Sequence, residues 1–265
     1  MSICKIFSPH LHKCSKAASS GAVFIGLNAT FMKKTIGILG GMGPEASAYF
    51  YNLLIRLSHT KYGAVQDNEF PPIIIYNLPL EGFDERGIVD AEGVKAQLVE
   101  GVQTLARAGA DFVVIACNTV HIFQGEMQAA IAIPIVGIVD ETVAAAKAAG
   151  YRRVGLLTSA SSAKYGLYAN KLAKEGIETL ATTAGEQKIL DEIILQVMAG
   201  TNGAADTENI EKIGARLVAA GAEALVLGCT ELPLALPKGP FPVPLLNSNQ
   251  VIVDKALALA LGKEE

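Results

Sequence analysis

The sequence has little cysteine, little charge and no long hydrophobic run, and each shortage excludes a class of protein. Its 265 residues contain 4 cysteines, which are too few and too scattered for a disulfide framework and suit a reducing cytoplasm. The formal net charge is -4, whereas nucleic-acid-binding proteins normally show a basic face. No apolar run reaches the roughly 20 residues of a membrane-spanning helix. We therefore expect a compact cytoplasmic protein without a nucleic-acid or membrane partner.

The first 31 residues differ in composition from the rest of the chain. They contain no Asp or Glu, and the first acidic residue is Glu45. Lysines precede a weakly apolar stretch at residues 17–27, as in a targeting peptide, but no clear small-x-small cleavage site follows. We expect residues 1–31 to be an extension ahead of a start at Met32, disordered or not native, with a targeting segment as the alternative.

From Met32 onward, short β-branched runs alternate with amphipathic helical stretches. The predicted strands are 35–39, 73–76, 112–116, 133–138, 154–157, 177–180, 224–227 and 243–246. The predicted helices are 45–57, 94–108, 141–149, 187–198, 208–219 and 250–261. This alternation predicts an α/β protein with parallel sheets flanked by helices.

The second series of elements repeats the first. Residues 108–117 align one for one with residues 220–229, and the two segments end in Cys117 and Cys229. The other matching runs are 36–39 with 154–157 and 133–136 with 243–246. Three matches in the same order indicate an internal duplication. We predict two lobes related by a pseudo-twofold axis, each a mostly parallel four-stranded sheet; their bounds are 32–139 plus 248–265, and 140–247.

The duplication gives the two cysteines equivalent positions. Ligands bind parallel α/β sheets at the carboxyl ends of the strands, where Cys117 and Cys229 both stand. If the lobes face each other, one thiol can remove a proton from a carbon while the other returns one from behind. A helix N-terminus after each strand would favour the thiolate. The alternatives are buried structural cysteines and, for Cys117 with His121, a zinc site that lacks further ligands.

A glycine-rich loop follows the first predicted strand. Residues 40–46 read Gly-Gly-Met-Gly-Pro-Glu-Ala and match the dinucleotide-binding fingerprint. The next strand, however, ends without the carboxylate that would hold a ribose hydroxyl. We interpret the loop, through Met42 and Gly43, as an anion-cradling turn that faces a small substrate. Dinucleotide binding is the alternative.

Further polar residues follow other predicted strands. Arg86 comes after the second strand and could reach a substrate carboxylate. Thr158 and Ser159 end the strand that matches the one before the glycine loop, so we expect them to bind a carboxylate too. His121 and Glu231 each stand near one cysteine, where they either polarise the thiol or serve as caps or surface groups.

Together these residues resemble the aspartate/glutamate racemase family. The likeness covers residues 32–265 and is carried by the glycine loop, by Cys117-Asn118-Thr119-Val120-His121 and by Gly228-Cys229-Thr230-Glu231; the loop is similar to that of the aspartate racemase branch. The resemblance implies an isomerase that racemises a small amino acid, a two-lobed α/β fold, and a homodimer. It implies no pyridoxal phosphate, no other cofactor and no metal.

The resemblance also implies roles for single residues. Cys117 and Cys229 correspond to the two-base pair, and Asn118, Thr119 and Thr230 to ligands of the α-carboxylate, with Val120 as a further substrate contact in the same block.

One position departs from the family pattern. Aspartate racemases of this family use a Lys near a helix end to hold the distal carboxylate, and the matching residue here is Met198. Arg86 aligns with the family's loop arginine only across a short insertion. The substrate is therefore aspartate, glutamate or a broader range. The alternatives are an isomerase, hydantoin racemase or decarboxylase of the same fold, and a non-enzymatic small-molecule binder; two cysteines favour inversion.

Overall fold

The computed structural model describes residues 33–84, 87–236 and 239–263; the expected extension at 1–31 lies outside these ranges. The strands are β1 Ile36–Gly40, β2 Ile73–Asn77, β3 Phe83–Asp84, β4 Gly87–Ile88, β5 Phe112–Ile115, β6 Ile135–Val136, β7 Arg153–Leu157, β8 Glu178–Leu180, β9 Ala224–Leu227 and β10 Leu245–Asn247. The α-helices are α1 Pro44–Thr60, α2 Ala91–Arg107, α3 Gln124–Ala129, α4 Ile138–Ala148, α5 Ala160–Lys164, α6 Leu167–Lys174, α7 Ala184–Met198, α8 Ala204–Ala219, α9 Leu232–Ala235 and α10 Ser248–Ala260. Short 3-10 turns lie at Asp67–Glu69 and Thr119–Phe123.

Eight of these strands form two parallel sheets with equivalent orders, β2-β1-β5-β6 and β8-β7-β9-β10. The registers are equivalent too, because Ile36 pairs with Phe112 in the first sheet as Val154 pairs with Ala224 in the second. These are the positions that the sequence repeat equates. The predicted α/β class with two parallel four-stranded sheets is confirmed. The lobe bounds at 139/140 and 247/248 stay a prediction.

Both faces of each sheet are buried, which explains the nearly continuous apolar runs of the strands. In β5, Phe112 and Val114 face a core that they share with the second sheet, while Val113 and Ile115 pack against α2. The shared core contains side chains of α1, α4, α6 and α10 as well as strand residues of both sheets. The outer face of the second sheet packs on α7 and α8. The common core holds the two sheets together.

The glycine loop needs glycine at one position for a steric reason. Gly41 has φ +99°, and a Cβ there would lie 2.3 Å from the carbonyl oxygen of Leu78. Only glycine adopts that conformation without strain. The tight turn lets α1 begin at Pro44, directly beyond the carboxyl end of β1, with Gly43 as its N-cap.

Several element bounds differ from the sequence prediction. The strand expected at 133–138 is reduced to β6, because Ile138 already begins α4. The segment after β7 folds into α5 and α6, which the sequence pattern did not predict; Gly166, with φ +61°, separates them. None of the helices in the described ranges has both the length and the apolarity that crossing a membrane requires.

Candidate active site

The two cysteines lie just beyond the carboxyl ends of equivalent central strands. Cys117 follows β5 and Cys229 follows β9. Both are buried thiols, 2% and 4% exposed. Their sequence neighbours contact residues of the opposite sheet at three places, and these contacts define the site.

The first contact joins the glycine loop to the block after Cys229. The backbone N–H of Gly43 donates to Oε1 of Glu231 over 3.5 Å. The other carboxylate oxygen, Oε2, accepts from Cys229 Sγ at 3.1 Å and from Thr230 Oγ1 at 2.9 Å. Glu231 therefore connects the loop after β1 to the block after β9 and contacts the sulfur of Cys229.

The second contact is a cluster of three hydroxyl groups. Thr119 Oγ1 lies 2.9 Å from Ser162 Oγ and 3.2 Å from Ser159 Oγ, and the two serine hydroxyls are 3.3 Å apart. Thr119 follows β5, whereas the serines follow β7, where Ser159 caps α5 by accepting from the N–H of Ser162. All three residues are buried. Each hydroxyl can rotate to donate to a carboxylate.

The third contact fixes the side chain of Asn118. Tyr168 in α6 donates its hydroxyl hydrogen to Asn118 Oδ1 over 2.5 Å. The Asn118 amide donates to Ser248 Oγ over 3.4 Å, and the Ser248 hydroxyl donates to the carbonyl of Leu227 over 2.8 Å. Burial raises the pKa of Tyr168, which keeps it a hydrogen-bond donor. Asn118 is thus held from both α6 and α10.

Packing explains why glycine precedes one cysteine and alanine the other. A Cβ at Gly228 would lie 2.6 Å from the ring of Tyr168 and 2.8 Å from the methyl group of Thr158. A residue larger than glycine would displace the tyrosine that holds Asn118. The equivalent residue beside Cys117 is Ala116, which is buried in the shared core.

His121 is committed to the backbone. Its Nδ1 lies 3.2 Å from the carbonyl oxygen of Asn118, and its Nε2 accepts from the N–H of Ile138 over 3.2 Å. These partners require the neutral ring with its proton on Nδ1. Burial lowers the pKa of His121 to about 4. The histidine braces the chain after Cys117 against the start of α4.

Glu231 has a different environment from His121. Its side chain is 1% exposed, and burial raises the pKa of this carboxyl above its usual value. The hydrogen bonds from Cys229, Thr230 and the Gly43 backbone act in the opposite direction. A buried acid in contact with a thiol can exchange a proton with it.

Four further predicted positions are buried near the same strand ends. Met42 and Val120 are buried in the cluster that contains Cys117. The carbonyl oxygen of Thr158 accepts from the Gln187 amide at 2.9 Å, and that of Thr230 accepts from the Asn249 amide at 3.0 Å.

One predicted site residue has no described position: Arg86 falls outside the described residues. Within the described ranges, no three His, Cys, Asp or Glu side chains gather as metal ligands would. Sequence reasoning missed Ser162, Tyr168 and Ser248, since none of them stands in a repeated block.

A family comparison identifies the chain. The family model for Asp/Glu/hydantoin racemases matches residues 39–256. The chain belongs to this family. The resemblance drawn from the cysteine blocks is thereby confirmed, and so is the expected enzyme class, an isomerase of the amino-acid racemase type.

Three relatives show how far the similarity extends. The broad specificity amino-acid racemase RacX of Bacillus subtilis is 25% identical over 86% of this chain and 98% of its own length. The crystal structure of an aspartate racemase homologue from Pyrococcus horikoshii is 31% identical with a TM-score of 0.74, over 86% of this chain and 99% of that one. An aspartate racemase from Picrophilus torridus is 28% identical, also with a TM-score of 0.74, over 87% and 95%. This racemase-family chain thus shares its fold along nearly the whole described length.

Proposed function

We propose that this protein racemises a free amino acid without a cofactor, with Cys117 and Cys229 as two bases on opposite faces of Cα. One observation carries the proposal. The cysteines follow equivalent strands of the two sheets. Two residues after each cysteine, Thr119 contacts Ser159 and Ser162 beyond β7, and Glu231 contacts Gly43 beyond β1. We infer that a substrate held between these residues is approached by one sulfur from each sheet.

The proton inventory of the step is balanced. The thiolate of one cysteine takes the α-proton and becomes a thiol, and the electron pair of the C–H bond stays on Cα. The thiol of the other cysteine then protonates the opposite face and becomes a thiolate. The reverse direction exchanges the two roles. Only protons are transferred, so no external oxidant or reductant is needed.

The buried hydroxyls supply the stabilisation that this carbanion requires. An α-proton beside a carboxylate is weakly acidic, so negative charge on the carboxylate must be stabilised as it grows. We assign this role to Asn118, Thr119 and Thr230, with Ser159 and Ser162 completing the hydroxyl cluster of Thr119. All are buried, and donors act more strongly where water is excluded.

Glu231 gives Cys229 a partner for its proton. The S–H donates to the carboxylate over 3.1 Å, so movement of the proton to Glu231 leaves a thiolate. Burial raises the pKa of Glu231 and favours this transfer. His121 has both ring nitrogens bound to the backbone, and we assign it a supporting role. Further proposed substrate contacts are Met42, Gly43, Arg86, Val120 and Thr158.

Substrate entry requires the site to open. Cys117, Thr119, Cys229 and Glu231 are each at most 4% exposed. We propose that the hydroxyl cluster and the contact between Gly43 and Glu231 separate to admit substrate and re-form around it. Closure of this kind excludes water and completes a catalytic site.

Substitution of either cysteine tests the two-base mechanism. We expect Cys117→Ser and Cys229→Ser each to lower the rate of racemisation at least about a hundredfold, because a hydroxyl is a much weaker base than a thiolate. The measurement is the appearance of the opposite enantiomer by chiral chromatography, starting from each hand. Cys14→Ser, in the N-terminal extension, is the matched control. Near-normal racemisation by either site variant contradicts the mechanism.

Exchange in heavy water separates amino-acid substrates from hydantoins, which the family description also names. We expect deuterium from heavy water at Cα of amino acids. Exchange confined to hydantoins would contradict an amino-acid substrate.

A homodimer and a cytoplasmic location are part of the proposal, and light scattering of the purified chain tests the dimer.

A further inference from the structure

One side of the site combines a glycine, a thioether and a carboxylate. A Cβ at Gly43 would lie 3.5 Å from Cγ and 3.6 Å from Cε of Met198, and 3.5 Å from Oε1 of Glu231. We call these three residues the Met198 wall. Since Glu231 also contacts Cys229 Sγ, the wall lies beside the sulfur proposed to act on Cα.

Met198 is held there by a helix rather than by a loop. It is the last residue of α7, which buries Leu190, Ile193, Ile194 and Val197 in the core of the second sheet. The helix ends at its C-cap, Ala199, and Gly200 with φ +68° turns the chain away. Met198 itself is half buried and packs on the same core. Its position is therefore fixed by buried packing.

The chemistry of the wall determines which substrate side chains it accepts. A methionine thioether has no N–H or O–H to donate, and Glu231 already accepts hydrogen bonds from three donors. A distal carboxylate brought here would lose hydration without a compensating donor from the three wall residues, and it would approach the acidic group of Glu231. A neutral chain would contact the thioether, and a cation would face Glu231 favourably.

Building on the proposed function, we propose that Met198 is a specificity-determining residue and that the substrate is an amino acid whose side chain carries no carboxylate. The Met198 wall disfavours aspartate and glutamate and accepts neutral and basic side chains. The reaction at Cα is the one proposed above. This inference concerns only which substrate side chains the Met198 wall accepts.

A substrate panel on the wild-type protein is the first test. L-Methionine, L-glutamine and L-lysine are compared with L-aspartate and L-glutamate, and deuterium incorporation at Cα is followed in heavy water. We expect kcat/KM for the best non-acidic substrate to exceed that for either acidic one by at least about tenfold. Equal or faster exchange of aspartate or glutamate overturns the proposal.

Two variants of Met198 form the second test. Met198→Lys adds a donor and a positive charge, so we expect the non-acidic to acidic ratio to fall at least about tenfold, mainly through a lower KM for the acidic substrates. Met198→Leu is the matched control and keeps the ratio within about threefold, because leucine preserves the apolar contact. An unchanged ratio in Met198→Lys, or loss of exchange with every amino acid, contradicts the assigned role.

The outcomes distinguish this inference from the function on which it rests. If no amino acid exchanges its α-proton in the wild-type protein, the proposed racemase function fails. If exchange occurs but aspartate or glutamate is preferred, only the specificity assigned to the Met198 wall fails.

Discussion

Cys117 and Cys229 follow equivalent strands but have different chemical neighbours. Cys229 donates to the buried carboxylate of Glu231. His121, which lies four residues after Cys117, has hydrogen bonds to backbone groups instead. The two halves of the duplicated fold thus contribute different side chains to one site. Such a difference is compatible with the proposed pair of bases on opposite faces of an asymmetric substrate.

The buried histidine makes stability depend on pH. An unfolded histidine takes up a proton near pH 6.5, but His121 in the folded chain does so only near pH 4. Acidification between these values favours the unfolded chain, and the loss is complete below pH 4. We expect this group to remove up to about 3 kcal/mol of folding free energy across that window.

Urea unfolding of wild-type protein and His121→Gln at intervals from pH 7 to pH 4 measures this contribution. The other titrating groups are common to both proteins, so the difference between the two curves reports His121. The stability advantage of the wild-type chain should shrink as the pH falls. A difference that stays constant with pH would show that the ring is not held neutral.

At the scale of elements, the N-terminal ends of helices position site residues. Asn247 caps α10, with Oδ1 accepting from the N–H of Asn249 at 3.0 Å and of Gln250 at 3.4 Å. The first helical residue, Ser248, accepts from the Asn118 amide. The cap therefore positions a residue of α10 against the block that contains Cys117.

Removal of this cap should affect both stability and catalysis. We expect Asn247→Ala to lower the free energy of unfolding by about 1 kcal/mol, as other N-cap losses do, and to lower kcat for racemisation through displacement of Ser248. Asn247→Asp retains the acceptor oxygen and serves as the control. Chemical denaturation and chiral chromatography provide the two readouts. Equal effects of the alanine and aspartate variants would mean that the cap does not support the helix.

Predictability from sequence also differs among elements. The long strands and amphipathic helices were predicted to within a few residues. Burial on both faces of a strand, or on one face of a helix, leaves a clear hydrophobic pattern in the sequence. The segment containing α5 and α6 was not predicted: its helices are 5 and 8 residues long, too short for a sustained period. That segment carries Ser162 and Tyr168, so the missed helices explain why these two site residues were missed. Ser248 was missed because it lies two residues before the predicted start of its helix.

At the scale of the whole molecule, the ends of the two sheets are joined by hydrogen bonds among buried side chains. The bond from Tyr168 to Asn118 connects α6 to the block after β5 and measures 2.5 Å. Because Asn118 is buried, loss of this donor leaves a polar oxygen with one partner fewer in a site shielded from bulk solvent. The cost of such a loss exceeds that of a surface hydrogen bond.

Removal of one hydroxyl tests this connection. We expect Tyr168→Phe to lower the free energy of unfolding by about 1 to 2 kcal/mol and to slow racemisation, since Asn118 is then held only from α10. Tyr165→Phe, at a tyrosine that is 39% exposed, is the matched control and should have little effect. Thermal unfolding and turnover measured together decide the matter. If the two variants behave alike, the buried contact does not hold the sheet ends.

The sequence by itself determined the α/β class, the duplication and the two cysteine positions, because local periodicity and a repeated pattern depend only on the order of residues. Tertiary structure decided three contacts of the site: Gly43 with Glu231, Thr119 with the two serines, and Asn118 with Tyr168. These partners are 40 or more positions apart in the chain. Only packing of the helices around a core shared by both sheets sets such distances, and no local pattern encodes it.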